Sequence, residues 1–225
     1  MKELRTFLSI ITREVKLNLG TGGGALLPTA FFAGAMLLLP FAVGPDRELL
    51  AKIGGGYLWL ALALASLVSL ERLFQGDIDD GTMEQLSLSG LPFSIAMLGK
   101  ILGQFVAIIL PLLVAMPVAG LMLNIPSEYV MPMTFTLFIG ALAMFLLGSV
   151  GAALGASVKR GGLLVALLAL PLYTPIVIFG SSTAGQIMMG NGVFTQGFFL
   201  LSAIVLFAIV LCPLAIAAAI KLNLD

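Results

Sequence analysis

The sequence has 225 residues, of which 60% are hydrophobic and only 10% are charged, and its formal net charge is zero. Soluble domains carry roughly 25% charged residues, so this composition excludes a globular protein folded in water and predicts an all-α, polytopic membrane protein. The balanced charge excludes a basic nucleic-acid-binding surface, the single cysteine excludes an intrachain disulfide, and the absence of histidine excludes histidine-based catalysis or metal ligation.

The first predicted element is an amphipathic helix within residues 1–24. One arc of its helical wheel is apolar and the opposite arc is cationic. The apolar arc holds Leu4, Phe7, Leu8, Ile11 and Val15, with Ile10 and Leu17 at its flank, and the cationic arc holds Lys2, Arg5, Arg13 and Lys16. This separation favours a helix lying in the membrane interface over a solvated leader. Glycines at 20 and 22–24 then predict a flexible elbow, and the charged segment is expected to be retained rather than cleaved as a signal peptide.

Residues 25–225 form the predicted transmembrane domain. Six apolar stretches reach or approach the roughly 20 residues that a helix needs to cross the hydrocarbon. They cover residues 25–43, 53–70, 101–123, 130–156, 163–179 and 198–220. The second and fifth are short, so we expect neighbouring residues to extend them or the helices to sit within the protein.

The distribution of lysine and arginine predicts the orientation. With six spans, both termini and the loops after spans two and four share one side of the membrane. That side holds nine of the eleven cations, Lys2, Arg5, Arg13, Lys16, Arg72, Lys100, Lys159, Arg160 and Lys221, and the other side holds Arg47 and Lys52. Both termini are therefore predicted to be cytoplasmic.

The longest polar segment is the predicted cytoplasmic loop 71–100, which contains five acidic and two basic residues. The cluster Asp79-Asp80-Gly81 indicates a turn, and Thr82 with Gln85 forms a capping-box pattern. Gly90 and Leu91-Pro92 end the predicted helix, which covers residues 82–91 and includes Leu86, Leu88 and Leu91. Such a short helix must pack on the membrane domain or on a soluble partner. A metal site at the loop acids is not favoured, because the downstream Glu lacks the EF-hand spacing.

The apolar stretches contain no Asp, Glu, Lys or Arg, which argues against a proton-driven carrier. Their prolines, at 28, 111, 117, 171, 175 and 213, could break helices at a carrier site, but kinking for packing is the favoured interpretation. In span four Gly148, Ala152 and Gly155 share one face, and Gly151 and Gly155 form a small-x-x-x-small pair, for which packing within the chain is expected. No Walker-type motif occurs, so ATP would have to be bound by another chain.

Several motifs together resemble one known family. The loop L-E-R-L-F-x-x-D-x-x-D-G-x-x-E-Q-L, from Leu70 to Leu86, is similar to that of the CcmB family of haem exporters. Further matching stretches are Gly44-Pro45 with Leu49-Leu50-Ala51-Lys52-Ile53 leading to Trp59, then Lys159-Arg160-Gly161-Gly162, then Leu170-Pro171-Leu172 with Pro175. The length and the six-span plan also match, whereas the N-terminal glycine cluster is not a feature of the pattern.

The resemblance implies an ABC-2-type permease of the bacterial inner membrane, present as two copies and paired with a separate ATPase subunit. Its other implied partners are a haem-handling membrane protein and a periplasmic haem chaperone, so ATP and haem would be bound by partner proteins and no cofactor by this chain. The loop helix would dock on the ATPase through Glu71, Arg72, Asp77, Asp80, Thr82, Glu84, Gln85, Leu86 and Leu91. Lys159 and Arg160 form a second cytoplasmic turn, for which an ordinary positive-inside turn is the alternative.

No catalytic residue is predicted, and the expected role is mechanical. Direct haem ligation by this chain would need Met, Tyr or Cys212. Met188 and Met189, in a predicted outer loop over residues 181–197, are expected to be apolar surface rather than ligands. Two alternatives remain open at the level of sequence: a stand-alone secondary carrier with a site at the proline positions, and a scaffold that assembles other membrane proteins.

Overall fold

The computed structural model describes residues 2–20, 24–44, 46–71, 73–156 and 161–224. Within these ranges the regular structure is entirely α-helical. The described helices are α1 (Lys2–Leu19), α2 (Leu26–Val43), α3 (Arg47–Leu70), α4 (Gln75–Asp79), α5 (Thr82–Ser87), α6 (Phe93–Met122), α7 (Ser127–Gly155), α8 (Gly161–Met188) and α9 (Gln196–Leu224). Most of the predicted glycine elbow, residues 21–23, lies outside the described ranges.

Six of these helices are long and apolar enough to cross a membrane, which confirms the predicted number of spans. They are α2, α3 and α6 to α9. The two stretches predicted as short are extended by neighbouring residues, so that α3 has 24 residues and α8 has 28. The extension of α3 begins at a polar turn, where the Asp46 carboxylate accepts a hydrogen bond from the Leu49 backbone N–H at 3.0 Å.

Two predicted loops are shorter than expected. Residues 181–188 belong to α8, so the outer connection to α9 is only 189–195 rather than 181–197. The cytoplasmic loop ends at Pro92, and residues 93–100 form the first turns of α6. Lys100 is therefore a helix residue that is buried, with 3% of its surface exposed, and its prediction as a loop cation was wrong.

The helix α7 lies at the centre of the bundle and packs against α3, α6, α8 and α9. Its small residues make these contacts close. A Cβ on Gly148 would overlap Tyr173 of α8 and Leu70 of α3, and one on Gly151 would lie 3.3 Å from Leu168 Cβ. The expectation that this face packs within the chain is confirmed at both positions.

The Trp59 indole of α3 fills a slot between two glycines. It is fully buried, and a Cβ on either Gly140 of α7 or Gly180 of α8 would overlap its ring. Because glycine has no side chain, Gly140 and Gly180 leave room for the Trp59 indole, and α3, α7 and α8 pack closely around it. The helices α6, α8 and α9 continue through their internal prolines, so the prolines do not break the spans.

Candidate functional site

The cytoplasmic loop between α3 and α6 contains two short helices, α4 and α5, separated by a turn at Asp80-Gly81. Gly81 has φ +74° and Gly90 has φ +80°, a left-handed conformation that favours glycine. The predicted start of a helix at Thr82 is confirmed. Its predicted end is wrong, because α5 stops at Ser87 and residues 88–92 turn back towards α6.

The predicted capping box of Thr82 and Gln85 is absent. Thr82 is already helical, and the N-cap position is Gly81, which has no side chain. One residue earlier, Asp80 Oδ1 accepts a hydrogen bond from the Thr82 backbone N–H at 3.0 Å. The Thr82 side chain also donates to this carboxylate, and the two hydrogen bonds lower the pKa of Asp80 below its ordinary value. Asp80 thus fixes the start of α5.

The loop is anchored through one set of side chains and exposes another. Its buried residues are Leu73, Phe74, Met83 and Leu91, and Leu86 is half-buried against the core. Its exposed residues include Glu71, Asp80, Glu84, Gln85 and Leu88. Of the predicted docking residues, Leu91 and Leu86 therefore hold the loop in place, whereas Glu84 and Gln85 face outwards.

Leu88 is the exposed apolar residue of this surface that the predicted set missed. With 84% of its surface accessible, it projects from the end of α5 beside Glu84 and Gln85 on the same short segment. The signal for it was the spacing of Leu86, Leu88 and Leu91, since a two-turn helix cannot bury leucines two residues apart on one face. We refer to Glu84, Gln85 and Leu88 as the exposed loop surface.

The acidic residue Asp77 of α4 does not face outwards but enters an ion-pair cluster. Its carboxylate contacts Lys100 Nζ of α6, and that ammonium lies 3.2 Å from Glu14 Oε2 of α1. Arg13 closes the cluster, with Nη1 2.7 Å from Glu14 Oε1 and Nη2 3.7 Å from Asp77 Oδ1. Two acids and two bases from three helices therefore meet beneath the loop, and we call them the charge cluster.

The N-terminal helix α1 lies against α6 at the same place. A Cβ on Gly99 would lie 3.1 Å from the Phe7 ring, and one on Gly103 would lie 2.5 Å from Glu14 Cβ and 2.8 Å from Ile11 O. The G-x-x-x-G spacing of Gly99 and Gly103 is the sequence signal for this contact, which was not among those predicted.

The buried face of α1 differs from the predicted apolar arc. Ile10, placed at the flank of that arc, is buried with Glu14, whereas Leu4 and Leu8 are exposed. The apolar arc is divided because part of it packs on α6 and part faces away from the protein. Leu4 and Leu8 remain available for the predicted interface with lipid, which stays a prediction.

The remaining predicted residues lie at the edge of this region. Glu71 packs over Gly162, where a Cβ would lie 2.7 Å from the carboxyl carbon, so the end of α3 meets the start of α8. Arg72, Lys159 and Arg160 lie outside the described residues.

At the opposite end of the bundle, an open cleft of about 390 Å³ separates the beginning of α3 from the end of α8. Met188 and Met189 both line it, together with Lys52. Met189 is exposed and Met188 is half-buried against the core, so both methionines contribute apolar surface to the cleft.

Comparison with known proteins gives consistent matches along the whole chain. The sequence model of the family described as CcmB protein matches residues 5–223. A protein of Bradyrhizobium diazoefficiens is 41% identical over 217 residues, covering 96% of this chain and 98% of that protein. A protein of Rhodobacter capsulatus is 38% identical over 216 residues (96% and 99%), and one of Escherichia coli K12 is 36% identical over 220 residues (97% and 99%). All three are named heme exporter protein B.

Proposed function

The chain belongs to the CcmB family, and we propose that it is the membrane subunit of an ABC transporter complex for cytochrome c maturation. A separate subunit would bind and hydrolyse ATP. The chain would couple that hydrolysis to haem export or to release of the haem-loaded periplasmic chaperone. Its spans would transmit motion, and haem would be carried by partner proteins.

The observation that carries this proposal is the exposed loop surface. Glu84, Gln85 and Leu88 project from a short helix that is fixed from below by buried Met83 and Leu91. An isolated leucine exposed on such an anchored helix is suited to a hydrophobic pocket on a partner, and the flanking polar groups are suited to its rim. Docking of this surface on the ATP-binding subunit is the proposed coupling contact.

The arrangement of charges supports an inner-membrane orientation with both termini in the cytoplasm. The contact of Glu14 with Lys100 places α1 at the same end of the bundle as the loop. Along the sequence, nine of the eleven cations belong to the terminal segments and to the connections after the second and fourth spans, which a six-span plan puts on one side of the membrane. The positive-inside rule assigns that side to the cytoplasm. The ATP-binding subunit, a second copy of this chain, a haem-handling membrane protein and a periplasmic haem chaperone are its proposed partners.

Co-purification tests the proposed contact. The chain is expressed with the ATP-binding subunit, extracted in mild detergent and captured by a tag. Leu88→Asp and Glu84→Lys are expected to lose the ATP-binding subunit while inserting normally, because both change the exposed loop surface without touching its buried anchors.

Met189→Asp, a polar substitution of an exposed apolar residue at the other end of the bundle, is the matched control and should retain the subunit. Unchanged capture with both loop variants would contradict the proposed contact. Leu86→Asp is less informative, because Leu86 is half-buried and its replacement would also disturb the loop.

A further inference from the structure

The charge cluster lies in a place where ionised groups are costly. Glu14 and Lys100 each expose only 3% of their surface, in a chain whose charged residues are few. The desolvation free energy of two buried ions is about as large as the free energy gained from their attraction, so a buried ion pair is weak evidence for stability. Its better-attested role is to specify one arrangement of the elements that it joins. The elements joined here are α1, α4 and α6.

We propose that Glu14, Asp77 and Lys100 are positioning residues that fasten the N-terminal helix to the loop, so that α1 moves with the exposed loop surface as one unit. The role in coupling to ATP hydrolysis rests on the proposed function. The fastening itself does not depend on it.

Lys100 is the centre of the fastening. Its ammonium lies between two carboxylates, that of Glu14 on α1 and that of Asp77 on α4. Arg13 bridges the same two acids from the outer side and is itself partly exposed. The four charges balance, so replacing any one of them by a neutral residue leaves the cluster with an unpaired charge.

The beginning of α6 follows the loop directly and also contacts the end of α3, where the loop starts. Gln104, one helical turn after Lys100, donates a hydrogen bond from Nε2 to the Ser69 carbonyl at 2.6 Å, which ties the end of α3 to the same face of α6. Gly99 and Gly103 form the neighbouring face, on which α1 is seated. A shift of the loop relative to α6 would therefore break the contact between Asp77 and Lys100, whereas a shift of the loop together with α6 would carry α1 along.

The principal helix contact of α1 is with α6, whereas the bundle core is built by α7 with α3, α8 and α9. A displacement that starts at the exposed loop surface would accordingly reach the membrane interface through α1 as well as the spans through α6. This gives the amphipathic helix a mechanical role in addition to its predicted contact with lipid.

Distance measurement between two spin labels tests the fastening on the full chain alone. Cys212→Ala removes the single cysteine, and Leu8→Cys and Gly76→Cys place labels on exposed positions of α1 and α4. With Asp77 present we expect one narrow distance distribution. Asp77→Asn is expected to broaden that distribution, because α4 then loses its ionic contacts with Lys100 and Arg13.

Asp79→Asn, an exposed acid two residues away on α4, is the matched control and should keep the narrow distribution. A narrow distribution in Asp77→Asn would overturn the proposal. Lys100→Met is expected to broaden the distribution, and the added Glu14→Gln should partly restore it, since one unpaired acid is removed. Absence of that restoration would also count against the cluster as the fastening.

A second readout addresses coupling. In the complex with its ATP-binding subunit, Asp77→Asn is expected to lower haem attachment to cytochrome c by about tenfold, in the range of ordinary coupling energies. Unchanged attachment would overturn the coupling role. If the unmodified chain fails to bind an ATP-binding subunit, the proposed function fails, while the spin-label distances still decide whether the fastening exists.

Discussion

Replacement of Gly140 by alanine tests the packing at the centre of the bundle. The Trp59 indole lies between Gly140 on α7 and Gly180 on α8, and a Cβ at either glycine would overlap the ring. Because the ring is also in close contact with Gly180 of α8, it has little room to move away from a new methyl group at Gly140. Gly140→Ala is therefore expected to destabilise the contact of α3, α7 and α8.

Two opposing contributions set the size of this effect. Overpacking a filled interior costs up to about 3 kcal/mol, and the upper end applies because a Cβ at Gly140 would overlap the rigid indole ring. Alanine favours a helix over glycine by about 1 kcal/mol. The net expectation for Gly140→Ala is a loss of about 2 kcal/mol in the free energy of unfolding. Gly34 of α2 has no atom near its missing Cβ, so Gly34→Ala keeps only the favourable contribution and should gain up to about 1 kcal/mol.

The assay is reversible unfolding in dodecyl maltoside micelles with a rising fraction of sodium dodecyl sulfate. Trp59 is the single tryptophan of the chain, so its fluorescence reports on the slot itself, and far-ultraviolet circular dichroism reports on helix content. The expected order of stability is Gly34→Ala, then the unmodified chain, then Gly140→Ala. Equal midpoints for the two variants would refute the argument that the glycines of α7 and α8 are fitted to the indole.

Two further predictions concern the loop and α1. Asp80→Ala should increase amide hydrogen exchange at Thr82, measured by mass spectrometry, because the Thr82 N–H loses its acceptor. The hydrogen bonds from Thr82 lower the pKa of Asp80 from its ordinary value of 3.8. Protection of the Thr82 amide in the unmodified chain should therefore be constant near neutral pH and fall only as the pH drops below 3.8 and through the lowered pKa. Gly103→Ala should lift α1 from α6, because the new Cβ would overlap Glu14 and the Ile11 carbonyl. Limited proteolysis should then cut α1 faster in Gly103→Ala than in Gly34→Ala. Equal rates of cleavage would show that the close approach of α1 to α6 is not needed.

The spans were predictable because their apolar runs are long enough to leave no other fold, but their ends were not. The predicted third span begins at residue 101, directly after Lys100, because hydropathy counts any lysine as unfavourable in a membrane span. In the structure Lys100 is neutralised by Glu14 and Asp77, which are distant in sequence. A tertiary contact of this kind leaves no periodic signal in the segment that it extends.

The sequence predicted a helix in the cytoplasmic loop, but it did not predict which residues of that loop are exposed. The pattern around Thr82 predicted a helix, but it could not show that α5 ends at Ser87, which turns Leu88 outwards and Leu91 into the core. The face of α1 was likewise ambiguous, because Leu8 and Ile10 are both apolar, yet Ile10 is buried and Leu8 is exposed. Periodicity identifies an apolar arc and does not say whether lipid or protein covers it.

Cross-linking from the exposed loop surface shows which polypeptide lies against it in the assembled complex. In the Cys212→Ala chain, Leu88→Cys carries a short photoactivatable thiol reagent, and the chain is assembled with the ATP-binding subunit in membranes. We expect an adduct between the two polypeptides from position 88, and none from Met189→Cys at the opposite end of the bundle. An assembled complex that gives no adduct from position 88, or gives one from position 189 instead, would contradict the assignment of this loop as the coupling contact.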